Sequence, residues 1–316
     1  MTEPLVSIGI PTYNREAKLT RAVESALAQT HRNLELVISD NASGDGTEAV
    51  CLAFCERDPR VRYLRSPVNR GPSANFNTLF EEMRGDYLML LSDDDWLEES
   101  YVATCLAELN RRPDHVLVCG IAHYVRDGAV TGEGVDMQLE EDSPSRRVLS
   151  YLSEVDENGV FYGLMPGAIL RRAAPLRNAF GNDWLLAAAI AAQGKVASTR
   201  ATAINRELGG TSADFAKLAK TLQLPAWQAR IPHLMIAWEV FADVAWRSPV
   251  YRDLPVLAHM RLAITAPFAA IRWRSLAWHM TMPTFAAVGR RRGGQWLWHL
   301  YGRIARLFGG TDHRIR

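Results

Sequence analysis

Apolar, β-rich runs recur along the first part of the chain, at residues 5–10, 34–39, 61–65, 87–91 and 116–121. Amphipathic stretches separate them, at 15–29, 47–57, 73–83 and 99–110. Strands that alternate with helices of this length join through crossovers, so the pattern predicts an α/β fold: a mostly parallel sheet with helices on both faces. The runs are nearly continuous in apolar residues, as strands buried on both faces are. Ligands of such sheets bind beyond the C-terminal strand ends. Three polar segments fall there: Pro11 to Asn14, Asp40, and Ser92 to Asp95.

The last of these carries the strongest chemical signal. Tyr87-Leu88-Met89-Leu90-Leu91 runs directly into Ser92-Asp93-Asp94-Asp95-Trp96. Adjacent carboxylates at the end of a buried strand repel one another and are costly to desolvate. A cation relieves both problems. Oxygen donors of this kind suit Mg²⁺ or Mn²⁺, and a few protein carboxylates leave coordination open for phosphate oxygens. The cluster therefore implies a metal-bound diphosphate.

Composition sets the outer bounds. With 316 residues, 48% of them hydrophobic and 22% charged, the chain can bury a core in one large domain or two modest ones. The net charge of +1 hides an asymmetry. From Ala226 onward there are 13 Arg, no Lys and 4 acids, a net +9, together with 7 of the 9 Trp. The preceding residues hold 23 basic and 31 acidic side chains, a net −8. This predicts a separate helical, basic, Trp-rich region over 216–316, after a domain of residues 1–215. Within that domain, 1–121 is the nucleotide-binding half and 122–215 the acceptor half. Residues 127–153 read as a polar loop excursion ending in a helix near 146–153, with a helix over 184–193 and a strand over 197–204. Cys51, Cys55, Cys105 and Cys119 have no metal-ligand spacing and read as buried, reduced thiols. The N-terminus lacks the basic start of a signal peptide, and no run of about 18 uncharged apolar residues suggests a spanning helix.

Four blocks occur in a fixed order: Val6-Ser7-Ile8-Gly9-Ile10-Pro11-Thr12-Tyr13-Asn14-Arg15; Asp40 to Thr47; Asn69-Arg70-Gly71 followed by Leu90 to Asp95; and Gly181-Asn182-Asp183-Trp184. Together they resemble the family 2 glycosyltransferases of GT-A fold, over about residues 4–212. That resemblance implies transfer of a sugar from a nucleotide diphosphate to an acceptor hydroxyl, with inversion at the anomeric carbon and a divalent metal. It places Pro11, Thr12, Tyr13 and Asn14 around the nucleotide. Asp40 becomes the acid that accepts from a ring N–H of uracil, thymine or guanine, so the donor is a UDP-, dTDP- or GDP-sugar. A turn acid capping helix 47–57 is the alternative, and Asp45 suits that role better. Asn69 and Arg70 face the phosphates or an exposed loop, and Gly71 permits close backbone approach.

The commoner family form of the acidic element is Asp-x-Asp-Asp, and here Ser92 takes the first position. Asp94 is then the direct metal ligand. Asp93 touches the ribose or a metal-bound water, and Asp95 supports the site or caps the next turn. The resemblance makes Asp183 the general base, although an acid there also caps helix 184–193. Gly163, Met165 and Trp184 fall on the acceptor side, with core packing the alternative for each. Arg206 and the backbone of 209–212 match a loop that grips the diphosphate. Leu208 stands where the family often has a metal-binding His.

In the C-terminal region, Leu257, Met260, Ile264, Phe268 and Ile271 recur at helical spacing beside Arg261, Arg272 and Arg274. Arg and Trp on amphipathic helices suit an anionic membrane surface, here through residues 255–308. The expectation is a cytoplasmic enzyme, peripheral on the inner face of the plasma membrane, that serves a saccharide or lipid-linked acceptor in surface polysaccharide or glycolipid synthesis. A helical subdomain packed on the catalytic domain, or on a second copy of the chain as a homo-oligomer, is the alternative. No organised basic and stacking motif points to nucleic acid. Two other classes share parts of the pattern: a sugar nucleotidyltransferase, which needs a Gly-rich triphosphate loop that residues 8–14 lack, and a non-catalytic nucleotide-sugar-binding or assembly protein.

Overall fold

The computed structural model of the protein describes residues 3–155, 158–208 and 214–271. In chain order, β1 (Val6–Thr12), α1 (Glu16–Leu27), β2 (Leu34–Asp40), α2 (Thr47–Arg57), β3 (Val61–Arg65), α3 (Pro72–Glu82) and β4 (Tyr87–Leu90) form the alternating part. A short β5 (Trp96–Leu97), α4 (Tyr101–Arg111), β6 (His115–Arg126), β7 (Ala129–Glu133), β8 (Gln138–Leu139) and α5 (Pro144–Glu154) follow. Then come β9 (Met165–Pro166), α6 (Gly167–Ala173), α7 (Asn182–Gln193), β10 (Lys195–Glu207), α8 (Phe215–Thr221), α9 (Pro232–Ala242) and α10 (Val256–Ala270).

The first sheet has the order β3-β2-β1-β4-β9. Its first four strands are parallel, with Ile8 opposite both Leu36 and Met89. Alternate residues serve opposite faces, as the two-residue period of a strand requires. Leu36, Ile38, Met89 and Leu91 pack toward α1, α2 and α4, whereas Val37, Leu88 and Leu90 pack toward α3, α5 and α7. Gly9 lets α3 approach: a Cβ there would lie 2.8 Å from the Met83 sulfur and 3.3 Å from a Leu79 methyl.

The run at 116–121 does not extend this sheet. It becomes β6, which pairs in parallel with β10 in a second sheet of order β5-β10-β6-β7, with β8 also on β10. The reason lies at the edge of β4. β9 occupies that edge in antiparallel pairing, Leu88 opposite Met165, and Pro166 has no N–H for a further strand. β6 makes no ladder with the first sheet; it meets that side through an isolated bridge between Val118 and Leu164, just before β9, and through core packing of Leu117 and Cys119. Part of the expected polar excursion at 127–153 is a hairpin strand, β7, and the expected helix is α5.

The boundary expected near residue 215 falls inside one compact unit that runs to Ala270. Ala219 and Leu222 of α8, Ile236 and Val240 of α9, and Leu262, Ala263 and Ala266 of α10 belong to the same core as Leu88 and the whole buried face of α7. The expected apolar stripe on α10 points outward, with Leu257, Met260, Ile264 and Phe268 between 58% and 73% exposed. Residues 272–308 of the expected membrane-facing region lie outside the described residues, and no helix among the described residues is long and apolar enough to cross a membrane. Cys51, Cys105 and Cys119 are buried and Cys55 partly so, all as free thiols.

Candidate active site

The parallel register brings Thr12 at the end of β1 level with Asp40 at the end of β2. Beyond them two loops are stitched together. Asn14 adopts a positive φ of 53°, which Asn tolerates better than most residues because its short side chain bonds locally. Its backbone N–H donates to Ser43 Oγ at 2.9 Å, and its Oδ1 accepts from the Gly44 N–H at 2.8 Å. Tyr13 is exposed and Pro11 partly so, while the Thr12 carbonyl accepts from the Asn41 N–H at 3.0 Å. Asn69 Oδ1 accepts from the Asn41 side-chain amide, and Asn41 Oδ1 in turn accepts from the Arg70 N–H, both at 2.9 Å. The Arg70 side chain is exposed and reaches Thr78 Oγ1 at 3.3 Å.

Asp40 is fully buried. Its Oδ1 accepts from the Ser43 hydroxyl at 2.6 Å and the Ser43 N–H at 2.9 Å, and its Oδ2 accepts from the Tyr63 hydroxyl at 2.7 Å. A nucleobase contact at Asp40 therefore requires one of these partners to yield. Asp45 takes the turn role, accepting from the Thr47 hydroxyl and N–H at the start of α2.

The loop after β4 gives its three carboxylates different surroundings. Asp95 turns toward β10: its Oδ1 accepts from the Glu207 N–H at 3.0 Å, and its Oδ2 lies 3.5 Å from Arg206 Nε. Asp94 Oδ1 accepts from Ser92 Oγ at 2.6 Å. Asp93 Oδ1 lies 3.3 Å from Arg15 Nε, and Asp94 Oδ2 lies 3.9 Å from Arg15 Nη2. Burial pushes Asp93 up to about 6 against the pull of Arg15, and pushes Asp95 up to about 6 against the pull of Arg206. Arg21 braces the loop from α1. Its guanidinium sits 3.5 Å over the Trp96 ring, donates to Glu207 Oε2 at 2.6 Å and reaches the Asp94 carbonyl at 3.4 Å.

Arg206, expected on the diphosphate, is engaged here by Asp95, with its guanidinium 5.1 Å from the Tyr162 ring and 5.9 Å from the Tyr124 ring. Leu208, at the position where the resemblance would put a His, is exposed just after β10, and the expected phosphate grip at 209–212 lies outside the described residues.

Asp183 sits in the first turn of α7, after Gly181 in the left-handed region at φ 68°. Burial raises its carboxyl above the usual carboxylate range, and a hydrogen bond from Asn158 Nδ2 at 3.1 Å opposes that rise. The Asn158 Oδ1 is buried and meets no hydrogen-bond partner among the described residues. Tyr162 packs beside Arg206, whose guanidinium lies 5.1 Å from its ring, and burial raises its hydroxyl above the usual phenol range. Gly163 and Met165 lie in the core rather than on an acceptor-facing surface. A Cβ at Gly163 would come within 2.4 Å of Leu117 Cδ2, and Met165 is 1% exposed against Leu88 of β4. Trp184 is partly buried and packs against the main core.

Two contributors escaped the sequence reading. Arg15 was visible as the last residue of the first block, but nothing marked its approach to Asp93 and Asp94. Asn158 carried no signal at all. Among the described residues no cluster of three His, Cys, Asp or Glu side chains is set to hold a metal by itself. Asp94, with Asp93 and Ser92 beside it, offers hard oxygen donors. Such a set fits Mg²⁺ or Mn²⁺ when diphosphate and water complete the coordination.

A parallel sheet that gathers carboxylates beyond its strand ends, with a separate half-buried acid at a helix start, is an α/β architecture of the kind that binds ligands at that end of the sheet. Residues 7–174, more than half of the chain, match the family described as Glycosyl transferase family 2, and the chain belongs to that family. It is 26% identical over 181 residues to the GalNAc(5)-diNAcBac-PP-undecaprenol beta-1,3-glucosyltransferase of Campylobacter jejuni, covering 57% of each protein. It is 42% identical over 116 residues to an Escherichia coli chondroitin synthase, 37% of this chain and 16% of that one. The chain thus matches little more than half the length of the first relative and a small part of the second. Staphylococcus aureus TarS 1-349, solved with UDP, shares the fold at a TM-score of 0.54 and 14% identity, over 85% of this chain and 81% of that one. Mannosyltransferase PcManGT from Pyrobaculum calidifontis, solved with GDP-Man and Mn2+, shares it at 0.52 and 15%, over 99% and 88%.

Proposed function

We propose that the protein is an inverting glycosyltransferase that moves a sugar from a nucleoside diphosphate sugar to a hydroxyl of a saccharide or lipid-linked acceptor, in cell-surface polysaccharide or glycolipid synthesis. The observation that carries this reading is the loop after β4, which gathers Asp93, Asp94 and Asp95 beyond the strand ends within a segment that matches the family over residues 7–174. The names of the relatives and fold neighbours support a UDP- or GDP-linked donor and a lipid-linked or polysaccharide acceptor, and Asp40 suits thymine as well as uracil or guanine.

Asp94, assisted by Asp93, would hold a Mg²⁺ or Mn²⁺ ion, and Asp95 keeps the loop in place through Glu207 and Arg206. When bound, the ion supplies positive charge opposite the diphosphate as the anomeric C–O bond breaks. Pro11 to Asn14, Asp40, Asn69 and Arg70 form the nucleotide-facing rim. Asn158 orients the Asp183 carboxylate. Asp183 takes the proton of the acceptor hydroxyl as its oxygen attacks the anomeric carbon from the face opposite the diphosphate. A new C–O bond forms, the bond to the diphosphate breaks, and the configuration inverts in one displacement. Trp184, partly exposed at the same helix start, lines the acceptor side.

The outward apolar stripe of α10, next to the arginine-rich sequence that follows, supports peripheral attachment to an anionic membrane surface at the cytoplasmic face. The test of the activity is release of nucleoside diphosphate from a panel of UDP-, GDP- and dTDP-sugars with Mn²⁺ and undecaprenyl-linked or oligosaccharide acceptors. Turnover that depends on Asp183 is expected. A protein that binds no donor, or turns it over unchanged after Asp94→Ala, is not this enzyme. For the attachment, flotation with phosphatidylglycerol-containing liposomes is expected to fall when Leu257, Ile264 and Phe268 are replaced by Ser, and unchanged flotation would reject it.

A further inference from the structure

The free oxygens of the acidic loop already face a cation. Asp95 is committed to Glu207 and Arg206, and one oxygen of Asp94 is committed to Ser92. The remaining Asp94 oxygen and Oδ1 of Asp93 both look toward Arg15, at 3.9 Å and 3.3 Å. One guanidinium therefore spans the pair that would hold the metal. The carboxylates are largely buried, with side chains 10% and 17% exposed, so they need compensation whenever no ion is bound. The Arg15 side chain is 40% exposed, yet its backbone is pinned, its N–H donating to Thr47 Oγ1 at 3.0 Å. A fixed root and a free head describe a side chain that can change partners without moving the loop.

We propose that Arg15 is the resident counter-cation of Asp93 and Asp94 in the donor-free protein, and that a metal-bound diphosphate displaces it onto the phosphate oxygens. The proposal rests on the donor reading given above. A guanidinium and a divalent ion cannot share two carboxylates without strong repulsion, so Arg15 competes with the bare ion. A diphosphate removes the conflict, because its oxygens offer the planar fork of Arg15 a new partner beside the pair. Metal affinity then depends on nucleotide: the ion alone binds weakly, and ion with nucleotide binds well. This arrangement suits a site that lacks a first Asp at Ser92 and a His at Leu208, since it has few ligands of its own.

Mn²⁺ binding, followed by electron paramagnetic resonance on the full-length protein, separates the possibilities. It is measured for the unsubstituted protein, Arg15→Gln and Arg15→Lys, each with Mn²⁺ alone and with UDP, GDP or dTDP. Arg15→Gln is expected to bind Mn²⁺ alone roughly five- to tenfold more tightly, an effect at or above the upper end for partly exposed ion pairs. The gain in Mn²⁺ affinity on adding nucleotide should shrink by a similar factor. Arg15→Lys, which keeps the charge, should stay near the unsubstituted protein and shows that the site remains folded. Equal affinity of Arg15→Gln and the unsubstituted protein for Mn²⁺ alone overturns the proposal. If nucleotide enhances Mn²⁺ binding normally in that case, only the role of Arg15 falls. If no nucleotide enhances it in any of the proteins, the donor reading falls as well.

Discussion

The acids on the donor side and the acid on the acceptor side are all withdrawn from solvent, Asp93 and Asp95 fully and Asp183 partly, but they keep different neighbours. Burial raises Asp93, Asp95 and Asp183 together. On the donor side the counterweight is a guanidinium, from Arg15 or Arg206. On the acceptor side the nearest side-chain partner is the neutral amide of Asn158, helped by backbone N–H groups at the start of α7 and by the charge of Arg206. A guanidinium supplies a carboxylate with the positive charge that a bound cation would otherwise provide. An amide positions the carboxylate without bringing a charge of its own, which suits a group that must take up and release a proton. The same residue type thus serves binding in one half and chemistry in the other, according to what lies beside it.

The strongest way to break this comparison is to remove the acceptor-side charge. Asp183→Asn should lower transfer by about 10³-fold, within the range for loss of a positioned base, and leave nucleotide binding intact. Donor binding by calorimetry beside turnover checks the split; a parallel loss of both would return Asp183 to the donor side or to the fold. Next in size is Asp94→Asn. Loss of a direct ligand should weaken Mn²⁺-dependent UDP or GDP binding by more than about tenfold, the lower bound for disturbing even an outer-shell partner. Asp95→Asn tests the distinction within the loop: it should cost more in thermal stability than in metal affinity, because Asp95 holds Glu207 and Arg206.

A smaller effect, with a sign, belongs to Asn158. Asp183 must be ionised to act, so activity should fall as pH drops through its raised folded value. The Asn158 N–H favours the ionised form, so Asn158→Ala raises that value further. The acid limb of the kcat profile should move to higher pH, with about a tenfold loss at neutrality from the misplaced base. A drop in kcat with an unmoved limb would make Asn158 a packing residue only.

The first sheet was legible because parallel strands buried on both faces are written as unbroken apolar runs, and Leu36, Ile38, Leu88 and Met89 all lie at 0% exposure. The partner of the 116–121 run was not, because pairing with β10 is a long-range choice settled by β9 taking the edge of β4. That α8, α9 and α10 join the main core is not legible in the sequence, because α10 is apolar on both sides: the sequence shows Leu257, Met260 and Ile264 as a stripe, yet Leu262, Ala263 and Ala266 face the core. In the site, the carboxylates stood out because they are adjacent in sequence. Arg15 and Asn158 did not, since each meets its partner only after the strands and helices have packed.

Gly163 gives the mildest effect and tests where the acceptor half ends. It was expected against the acceptor, yet a Cβ there would press into Leu117, a residue with no exposed surface, at 2.4 Å from Cδ2 and 2.7 Å from Cγ. Leu117 is held in β6 between α7 and the first sheet and has little room to retreat. Gly163→Ala should therefore lower stability by about 1–3 kcal/mol, the usual range for overpacking a core. Heat denaturation should move down by several degrees, while the acceptor KM below the transition stays within about twofold, because the added methyl meets Leu117 in the core and not a side chain of the site. A raised KM with an unchanged melting temperature would put Gly163 back on the acceptor surface and shift the border between core and site toward β9.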